Sequence, residues 1–375
     1  RGLVRKLIIE SLKCWASEFG VDGFRFDLGI ALSRGENLSP LDNPPIFEDI
    51  ECEPELIDIK FISEPWDCGG LYKLGDFPSK NTFTWNGHFR DDLRRFWKGD
   101  KDTAWNMSDK IKGTPSIYKE DNIFPKSINF ITSHDGFTLK DLVTFNRKHN
   151  FANREQNRDG DNHNNSWNHG TEGPTTNLLI NDLRKRQQKN LILSLLISKG
   201  VPMILMGDEI GRSQGGNNNS WCQNNLLGWM NWEHGQQDLE LLEYFKYVIK
   251  IRKKLINIFN PSFFPNNQTN ENIPTYHWHG TKLDSPDWSS WSHTVAFSIN
   301  KDNTSPLVWI GLNAYSKSID FPLPKCKYNW LKVIDTSMSE IFEPLTINEK
   351  FVSIKSRSSL LIISEEVFGA KNNIF

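Results

Sequence analysis

Three short segments each place an acidic residue where an apolar run gives way to a loop. They are residues 23–27 (GFRFD), 63–67 (SEPWD) and 133–135 (SHD). Each preceding run is short, continuous and apolar, as expected of a buried strand. Acids at the ends of successive strands are typical of a (β/α) barrel, whose site is built by the loops at the C-terminal rim. The three segments therefore predict a carboxylate-rich site on an α/β fold.

The surrounding sequence alternates between helical and extended patterns. Apolar residues at helical spacing from Leu3 to Phe19 predict a first helix that ends at Gly20. Strands are predicted at residues 21–28, 57–63, 82–85, 127–132 and 201–206. Further helices are predicted at residues 89–97, 183–198 and 237–259. The polar residues 153–170 predict a long loop, near the substrate or mobile.

The pattern changes after about Pro261 to short alternating runs separated by Asn, Asp, Pro and Ser. Such runs favour a small antiparallel β-sandwich. The predicted fold class is therefore α/β: a (β/α)8 TIM barrel followed by a C-terminal antiparallel β-sandwich. The predicted domains are residues 1–260 for the barrel portion and residues 261–375 for the sandwich, within a chain of 375 residues.

Composition excludes several classes of function. The 44 basic and 46 acidic side chains give a net charge of -2, which argues against a nucleic-acid partner. Five cysteines without CxxC spacing favour a reducing compartment over a disulfide framework or zinc site. The longest apolar stretch, residues 191–206, is too short and broken to span a bilayer. No metal cluster or nucleotide fingerprint is visible, so no cofactor is predicted.

Five segments together resemble the alpha-amylase superfamily of glycoside hydrolases (family 13), and within it the isoamylase and bacterial glycogen debranching group. The segments are residues 21–28 (VDGFRFDL), 61–67 (FISEPWD), 130–139 (FITSHDGFTL), 162–173 (ending NHGTEG) and 207–219 (GDEIGRSQ, then GNNN). The resemblance runs from about Val4 to Ile363. The last two segments resemble debranching enzymes more than ordinary amylases.

The resemblance implies roles for individual residues. It makes Asp27 the catalytic nucleophile, Glu64 the general acid/base and Asp135 the third acid of the triad. Four further residues become candidates for substrate binding: Arg25, His134, Trp66 and Trp221. Arg25, two residues before Asp27, is expected to keep that carboxylate ionised. Pro65 and Trp66 are expected to give Glu64 an apolar setting that favours its protonated form.

The implied activity is hydrolysis of α-1,6 branch linkages in glycogen or limit dextrin, with retention of configuration. The alternatives are another α-1,4 glucan hydrolase of the same family, or a non-catalytic glucan-binding subunit of an isoamylase complex. A branched α-glucan is the expected partner, with no nucleic acid and no membrane. The expected location is the cytoplasm, or a plastid if the source is plant-like.

Two features depart from the family pattern. No Asn-His pair from the family's earlier barrel segment is present, so the chain is expected to lack the N-terminal domain and first barrel strands and to contain strands 4–8. We expect such a chain alone to be inactive and poorly soluble, because its sheet edges would be open. Asn224 and Asn225 stand where the family tends to carry Asp.

Simpler interpretations remain open for several residues. An acid at a strand end can cap a helix, His134 can hold its loop, and a Trp can pack in the core. Trp85 is a further candidate for sugar stacking on the same terms as Trp66 and Trp221. Asp208 and Glu209 can cap a helix or position a loop. The segment at 217–219 can contact a glucan branch or form a turn.

Overall fold

The computed structural model describes residues 2–118, 126–233, 235–259, 274–301, 305–341 and 343–369. The chain divides into two compact units. The first unit contains residues up to 87 together with 113–129, and the second contains residues 88–112 and those from 130 onward. The predicted boundary between residues 260 and 261 lies outside the described residues, so the two predicted domains remain a prediction.

The first unit is built on parallel strands. They are β1 (Gly23–Phe26), β2 (Lys60–Ser63), β3 (Thr82–Trp85) and β4 (Ser127–Phe130). Each strand pairs with the next one in the chain, and all three pairings are parallel. Parallel pairing places the C-terminal ends of the strands at one edge of the sheet. The segments bearing Asp27 and Glu64 therefore leave the sheet at the same edge.

Two helices pack beside these strands, α1 (Gly2–Ser17) and α2 (Pro45–Glu51). Their apolar residues form one buried cluster with the sheet, which consists of Ile9, Leu12, Ile46, Phe47, Ile50, Leu56 and Phe61. Helix α1 ends three residues before Gly20, which adopts the positive φ that glycine tolerates best. The predicted first helix and its stop are thus confirmed.

The second unit contains the other helices of the described chain. They are α3 (Gly87–Lys98, whose first residue belongs to the first unit), α4 (Ala104–Ile111), α5 (Leu139–Leu142), α6 (Leu178–Ile197), α7 (Gln236–Lys254), α8 (Ile256–Phe259) and α9 (Glu365–Gly369). The C-terminal half of α6 is buried on all sides, including its polar residues Gln188, Lys189 and Asn190. Among the described residues of both units, no helix has the length and apolar character needed to cross a bilayer.

Antiparallel sheets dominate the C-terminal part of the second unit. Its antiparallel strands are β6 (Thr275–His279), β7 (Thr294–Lys301), β8 (Ser305–Asn313), β9 (Ile319–Pro322), β10 (Trp330–Asp335), β11 (Leu345–Ile347), β12 (Phe351–Ile354) and β13 (Ser358–Ser364). Strand β5 (Val201–Met203) precedes them in the chain and belongs to neither antiparallel sheet. Six of them form a sheet in the order β11-β10-β13-β8-β7-β6, and β12 pairs with β9. The apolar face of the six-stranded sheet shares a core with α3, α4, α6 and α7.

The sequence predictions of an α/β fold with a parallel sheet and of C-terminal antiparallel strands are confirmed. Several predicted elements have the wrong bounds: the strands predicted at 21–28 and 57–63 are Gly23–Phe26 and Lys60–Ser63, and the helix predicted at 183–198 is Leu178–Ile197. The strand predicted at 201–206 ends at Met203, because the chain then turns and Asp208 N donates to Leu205 O at 3.1 Å. The helix predicted at 237–259 is divided into α7 and α8 at Leu255.

Candidate active site

Arg25, Asp27 and Glu64 form one side-chain cluster in the first unit, which we call the acid pair cluster. Arg25 Nη1 donates to Asp27 Oδ1 at 2.8 Å, and Arg25 Nη2 donates to Glu64 Oε1. An oxygen of Asp27 and an oxygen of Glu64 lie within 4.8 Å of each other. Retaining glycosidases hold their two carboxyl groups about 5–5.5 Å apart, and inverting enzymes about 6.5–9.5 Å. The observed separation fits the retaining class.

The two acids differ in exposure. The side chain of Asp27 is 67% exposed, whereas Glu64 is 3% exposed. Glu64 also accepts a hydrogen bond from Leu28 N at 2.8 Å, in addition to the one from Arg25. Both donors stabilise an ionised carboxylate. The apolar setting that would favour a protonated Glu64 stays a prediction, and the sequence did not show that Arg25 reaches across to the neighbouring strand.

A second ion pair fixes the segment that follows Glu64, which we call the Glu64 loop (residues 64–72). Arg34 donates to both oxygens of Asp67, at 2.6 and 3.1 Å. Asp67 also accepts from the backbone N–H groups of Gly69 and Leu71. The hydrogen bonds from Arg34, reinforced by those N–H groups, lower the pKa of Asp67 to about 2. Asp67 therefore acts as the internal anchor of this loop.

The aromatic residues near the acid pair cluster have unequal roles. The guanidinium of Arg25 lies 4.3 Å from the centre of the Trp85 ring, and Trp85 is buried. This cation–π contact occupies Trp85 and favours the interpretation that it packs in the core. Trp66 is half-buried and contacts both Trp85 and Tyr72 through its ring, at centroid distances of 6.4 and 5.8 Å. Trp66 therefore has ring partners that fix its orientation.

His134 and Asp135 lie in the second unit on a loop that we call the His134 loop (residues 133–138). The Asp135 side chain is 75% exposed, and its Oδ2 lies 3.6 Å from Nε2 of His134. Gly136 adopts a φ of 100°, which favours glycine at this position. Gly136 N donates to Asn218 O at 2.9 Å, so the tip of the loop is fixed from outside. Both predicted polar side chains are thus exposed on a fixed loop.

Trp221 is also in the second unit. It belongs to the 3₁₀ turn Ser220–Cys222 and is 82% exposed. An indole this exposed is available to a ligand and takes little part in a core. The core-packing alternative for Trp221 is therefore not favoured.

Comparisons with known proteins address the whole chain. Residues 277–366 match the family model for the C-terminal domain of isoamylases 1–3. Isoamylase 1, chloroplastic, of Oryza sativa subsp. japonica is 39% identical over 366 residues, covering 92% of this chain and 45% of the rice protein. The glycogen operon protein GlgX homolog of Mycobacterium tuberculosis is 36% identical over 381 residues, covering 95% of this chain and 52% of that protein.

The chain belongs to the isoamylase and glycogen debranching group of the alpha-amylase superfamily. It spans about half the length of the curated relatives it matches. The pullulanase from Bacillus acidopullulyticus is similar in structure, with a TM-score of 0.66 and 20% identity, covering 96% of this chain and 40% of the pullulanase. Pullulanase type I from Bacillus subtilis, complexed with maltose, also has a TM-score of 0.66. It is 19% identical, and the match covers 96% of this chain and 46% of the pullulanase chain. At these identities the two structures show the fold alone.

The debrancher-like segment at 207–219 has a structural role in this isoamylase-group chain. Asp208 is 3% exposed and accepts hydrogen bonds from Thr132 Oγ1 and, at 2.9 Å, from Leu139 N. Burial raises the pKa of Asp208 to about 7. Glu209 accepts from Gly207 N at 2.8 Å. Of the two interpretations that the sequence left open for Asp208, loop positioning is the one that its contacts favour.

The asparagines of the same segment are internal. Asn217 and Asn218 are buried, and their side chains bond to neighbouring asparagines and carbonyl groups. Asn218 Nδ2 donates to Asp161 O at 2.7 Å and to Asn164 Oδ1 at 2.9 Å. These contacts favour a structural role over contact with a glucan branch. They also hold the polar loop at 153–170, together with Lys148 Nζ, which donates to three consecutive carbonyls of residues 158–160.

The other debrancher-like loop, which ends at Gly173, is held by two charged residues. Arg184 donates to the carbonyls of Asn168 and Gly173 at 2.7 and 2.8 Å. Burial favours the neutral form of Glu172, but hydrogen bonds from Asn146 N, Asn168 and His149 outweigh it and lower the pKa of Glu172 to about 2. Arg184 and Glu172 therefore hold the backbone of this loop in place. Sequence reasoning marked it by resemblance but did not assign these anchors.

Proposed function

We propose that this chain supplies the catalytic residues of a retaining glycoside hydrolase that cleaves α-1,6 branch linkages of glycogen or limit dextrin. The observation that supports this most strongly is the short separation of Asp27 and Glu64, whose oxygens lie within 4.8 Å. The names of the relatives, isoamylase and glycogen operon protein, point to the same class of enzyme and of substrate.

The proposed mechanism divides the chemistry between the two acids. Asp27, which is exposed at the end of β1, attacks the anomeric carbon and forms a covalent glycosyl ester. Glu64 protonates the departing glycosidic oxygen and then removes a proton from the water that hydrolyses the ester. Because Arg25 bonds to Glu64 in the free chain, Glu64 must take up a proton at the expense of that ion pair before it acts as an acid.

The other predicted residues would bind the sugar. Asp135 and His134 would hydrogen-bond hydroxyl groups of the distorted ring, and Trp66 and Trp221 would stack on apolar sugar faces. No metal or organic cofactor enters the proposed chemistry, because a retaining mechanism needs only the two carboxyl groups.

The barrel, the C-terminal sandwich domain and the cellular location are parts of the same proposal. Strands β1 to β5 would be strands 4–8 of a (β/α)8 barrel, and the antiparallel sheets would form a β-sandwich domain at residues 261–375. The proposed location is the cytoplasm, or a plastid for a plant-like source. The rice relative is named as chloroplastic.

The proposed function can be tested by reducing-sugar release from β-limit dextrin, pullulan and amylose by the full-length gene product. We expect linear chains to be released from branched substrates only. Asp27→Asn and Glu64→Gln should each lower activity by several orders of magnitude, while Asp22→Asn, an exposed acid at the start of the same strand, should not.

Each other outcome has a defined meaning. Cleavage of amylose would favour the α-1,4 hydrolase. Binding of glucan by a folded protein without any hydrolysis would favour the non-catalytic subunit. Activity that survives in either acid variant would mean that the carboxylates are wrongly assigned.

A further inference from the structure

The carboxylate of Asp208 joins the two ends of the His134 loop. Thr132, which donates to Asp208 Oδ2, is the residue immediately before the loop. Leu139, whose N–H donates to Asp208 Oδ1 at 2.9 Å, is the residue immediately after it. One side chain therefore closes the base of a six-residue loop, much as a backbone hydrogen bond would close a hairpin.

Two other buried contacts hold the same loop. Arg94 donates through Nε and Nη2 to Ile131 O, at 2.9 and 2.6 Å, just before the base of the loop. At the tip, Gly136 N donates to Asn218 O. The loop is thus fixed at both ends and at its tip, while the side chains of His134 and Asp135 remain exposed.

Asp208 lies in a tight turn whose backbone requires glycine. Asp208 begins the 3₁₀ turn Asp208–Ile210, directly after Gly207, whose φ is 97°. A side chain at Gly207 would meet Arg212 Cδ at 2.8 Å, so this backbone conformation leaves room only for glycine. The carboxylate is consequently presented from a turn whose conformation depends on glycine at position 207.

Burying a carboxylate is unfavourable, and apolar replacements of buried ionic groups often stabilise a protein. A buried acid that only helped folding would be a poor solution here. An acid that bonds both ends of an exposed polar loop instead fixes the geometry of that loop. Precise geometry matters most for groups that contact a transition state, where a displacement of about 1 Å can cost about 100-fold in rate.

We infer that Asp208 is a positioning residue that sets the placement of His134 and Asp135 against the sugar ring in the transition state. This inference rests on the proposed function, since it assigns Asp135 a role in that site. It predicts that loss of Asp208 lowers kcat much more than it changes KM, because the loop would still reach the substrate but in a less precise arrangement.

The test uses the full-length gene product with Asp208→Ala, Asp208→Asn and Thr132→Val. Asp208→Ala should lower kcat by about 100-fold with little change in KM. Asp208→Asn retains the shape and can still accept from Leu139 N while donating to the Thr132 hydroxyl, so it should recover most of the activity. Thr132→Val removes one of the two contacts with little change of shape, and it provides the measurement if Asp208→Ala fails to fold.

Asn190→Ala is the matched control for a lost buried polar contact in the same unit. Asn190 is fully buried and bonds to Arg357 O, Thr336 Oγ1 and Ser359 Oγ. Its loss should lower the stability of the fold without lowering the kcat of the folded fraction. A kcat for Asp208→Ala and for Thr132→Val that matches the Asn190→Ala control would overturn the inference.

A double-mutant cycle with Asp135→Asn separates positioning from a merely structural effect. If Asp208 acts through Asp135, the effect of Asp208→Ala on kcat should largely disappear in the Asp135→Asn background. Equal effects in both backgrounds would contradict the inference while leaving the proposed function intact. If Asp135→Asn alone leaves kcat unchanged, the role proposed for Asp135 fails, and the inference fails with it.

Discussion

The Glu64 loop and the His134 loop carry predicted site residues but are held by different forces. The Glu64 loop depends on ion pairs, from Arg25 to Glu64 and from Arg34 to Asp67. The His134 loop depends on hydrogen bonds from Thr132 and Leu139 to the buried carboxylate of Asp208, and on one from Gly136 N to Asn218 O. The Glu64 loop therefore holds buried acids through ion pairs, whereas the His134 loop presents the exposed Asp135 on a base that is closed by hydrogen bonds.

The anchors of the two loops accordingly have pKa values shifted in opposite directions. Hydrogen bonds from Arg34 lower the pKa of Asp67 to about 2, whereas burial raises the pKa of Asp208 to about 7. The ordinary value for both is 3.8. Acid should loosen the first loop, and base should weaken the second. Three substitutions test this contrast.

Arg25→Ala should have the largest effect, because Arg25 contacts both acids of the acid pair cluster and also Trp85. We expect kcat/KM on β-limit dextrin to fall by about 100-fold or more, since both carboxylates lose their common partner. Arg25→Lys should restore only part of the activity, because an ammonium group cannot reproduce the planar fork of the guanidinium. Arg5→Ala, which breaks an ion pair with Asp49 on the surface, is the control. Near-parental activity in Arg25→Ala would show that charge does not organise this cluster.

Asp208→Asn should change the pH dependence of stability in the second unit. A carboxyl group with a raised pKa in the folded state contributes most at low pH, and this contribution is lost as the pH rises from about 4 through about 7. The loss is on the order of 4 kcal/mol for a buried group shifted from 3.8 to about 7. Urea unfolding from pH 4 to pH 8 should show a smaller decline in the variant than in the parent. Parallel curves would contradict the account of Asp208.

Asp67→Asn should produce a smaller change of the opposite sign. A carboxyl group with a lowered pKa contributes above its ordinary value, and this contribution is lost as the pH falls from about 4 through about 2. The variant should therefore lose stability near neutral pH and lose less on acidification. Hydrogen exchange of the amides of Gly69 and Leu71, which donate to Asp67, measures this directly. Unchanged protection of both amides at pH 6 would show that the ion pair does not hold the loop.

The sequence predicted strands better than it predicted contacts. The run at 82–85 coincides with β3, because a short apolar segment bounded by polar residues has few alternatives. Helix α2 was missed, since seven residues after Pro44 are too few to show a helical period. Arg25 was correctly placed beside Asp27, two residues away, but its bond to Glu64 joins residues 39 apart.

The long-range contacts of Asp208, in the segment at 207–219, could not be predicted from the sequence either. In the sequence it is an acid after a glycine, compatible with a helix cap or a loop contact. Only folding brings it to Thr132 and Leu139, which lie 76 and 69 residues away along the chain. A resemblance could mark such a residue, but a spacing rule could not reveal its partners.

The stereochemistry of cleavage tests the central claim most directly, since it depends on the separation of Asp27 and Glu64. Proton NMR of the first reducing ends released from β-limit dextrin by the full-length protein, before mutarotation, identifies their anomeric form. The short separation predicts the α-anomer, through retention. Release of the β-anomer would mean that water attacks directly, and it would contradict the assignment of Asp27 as a nucleophile.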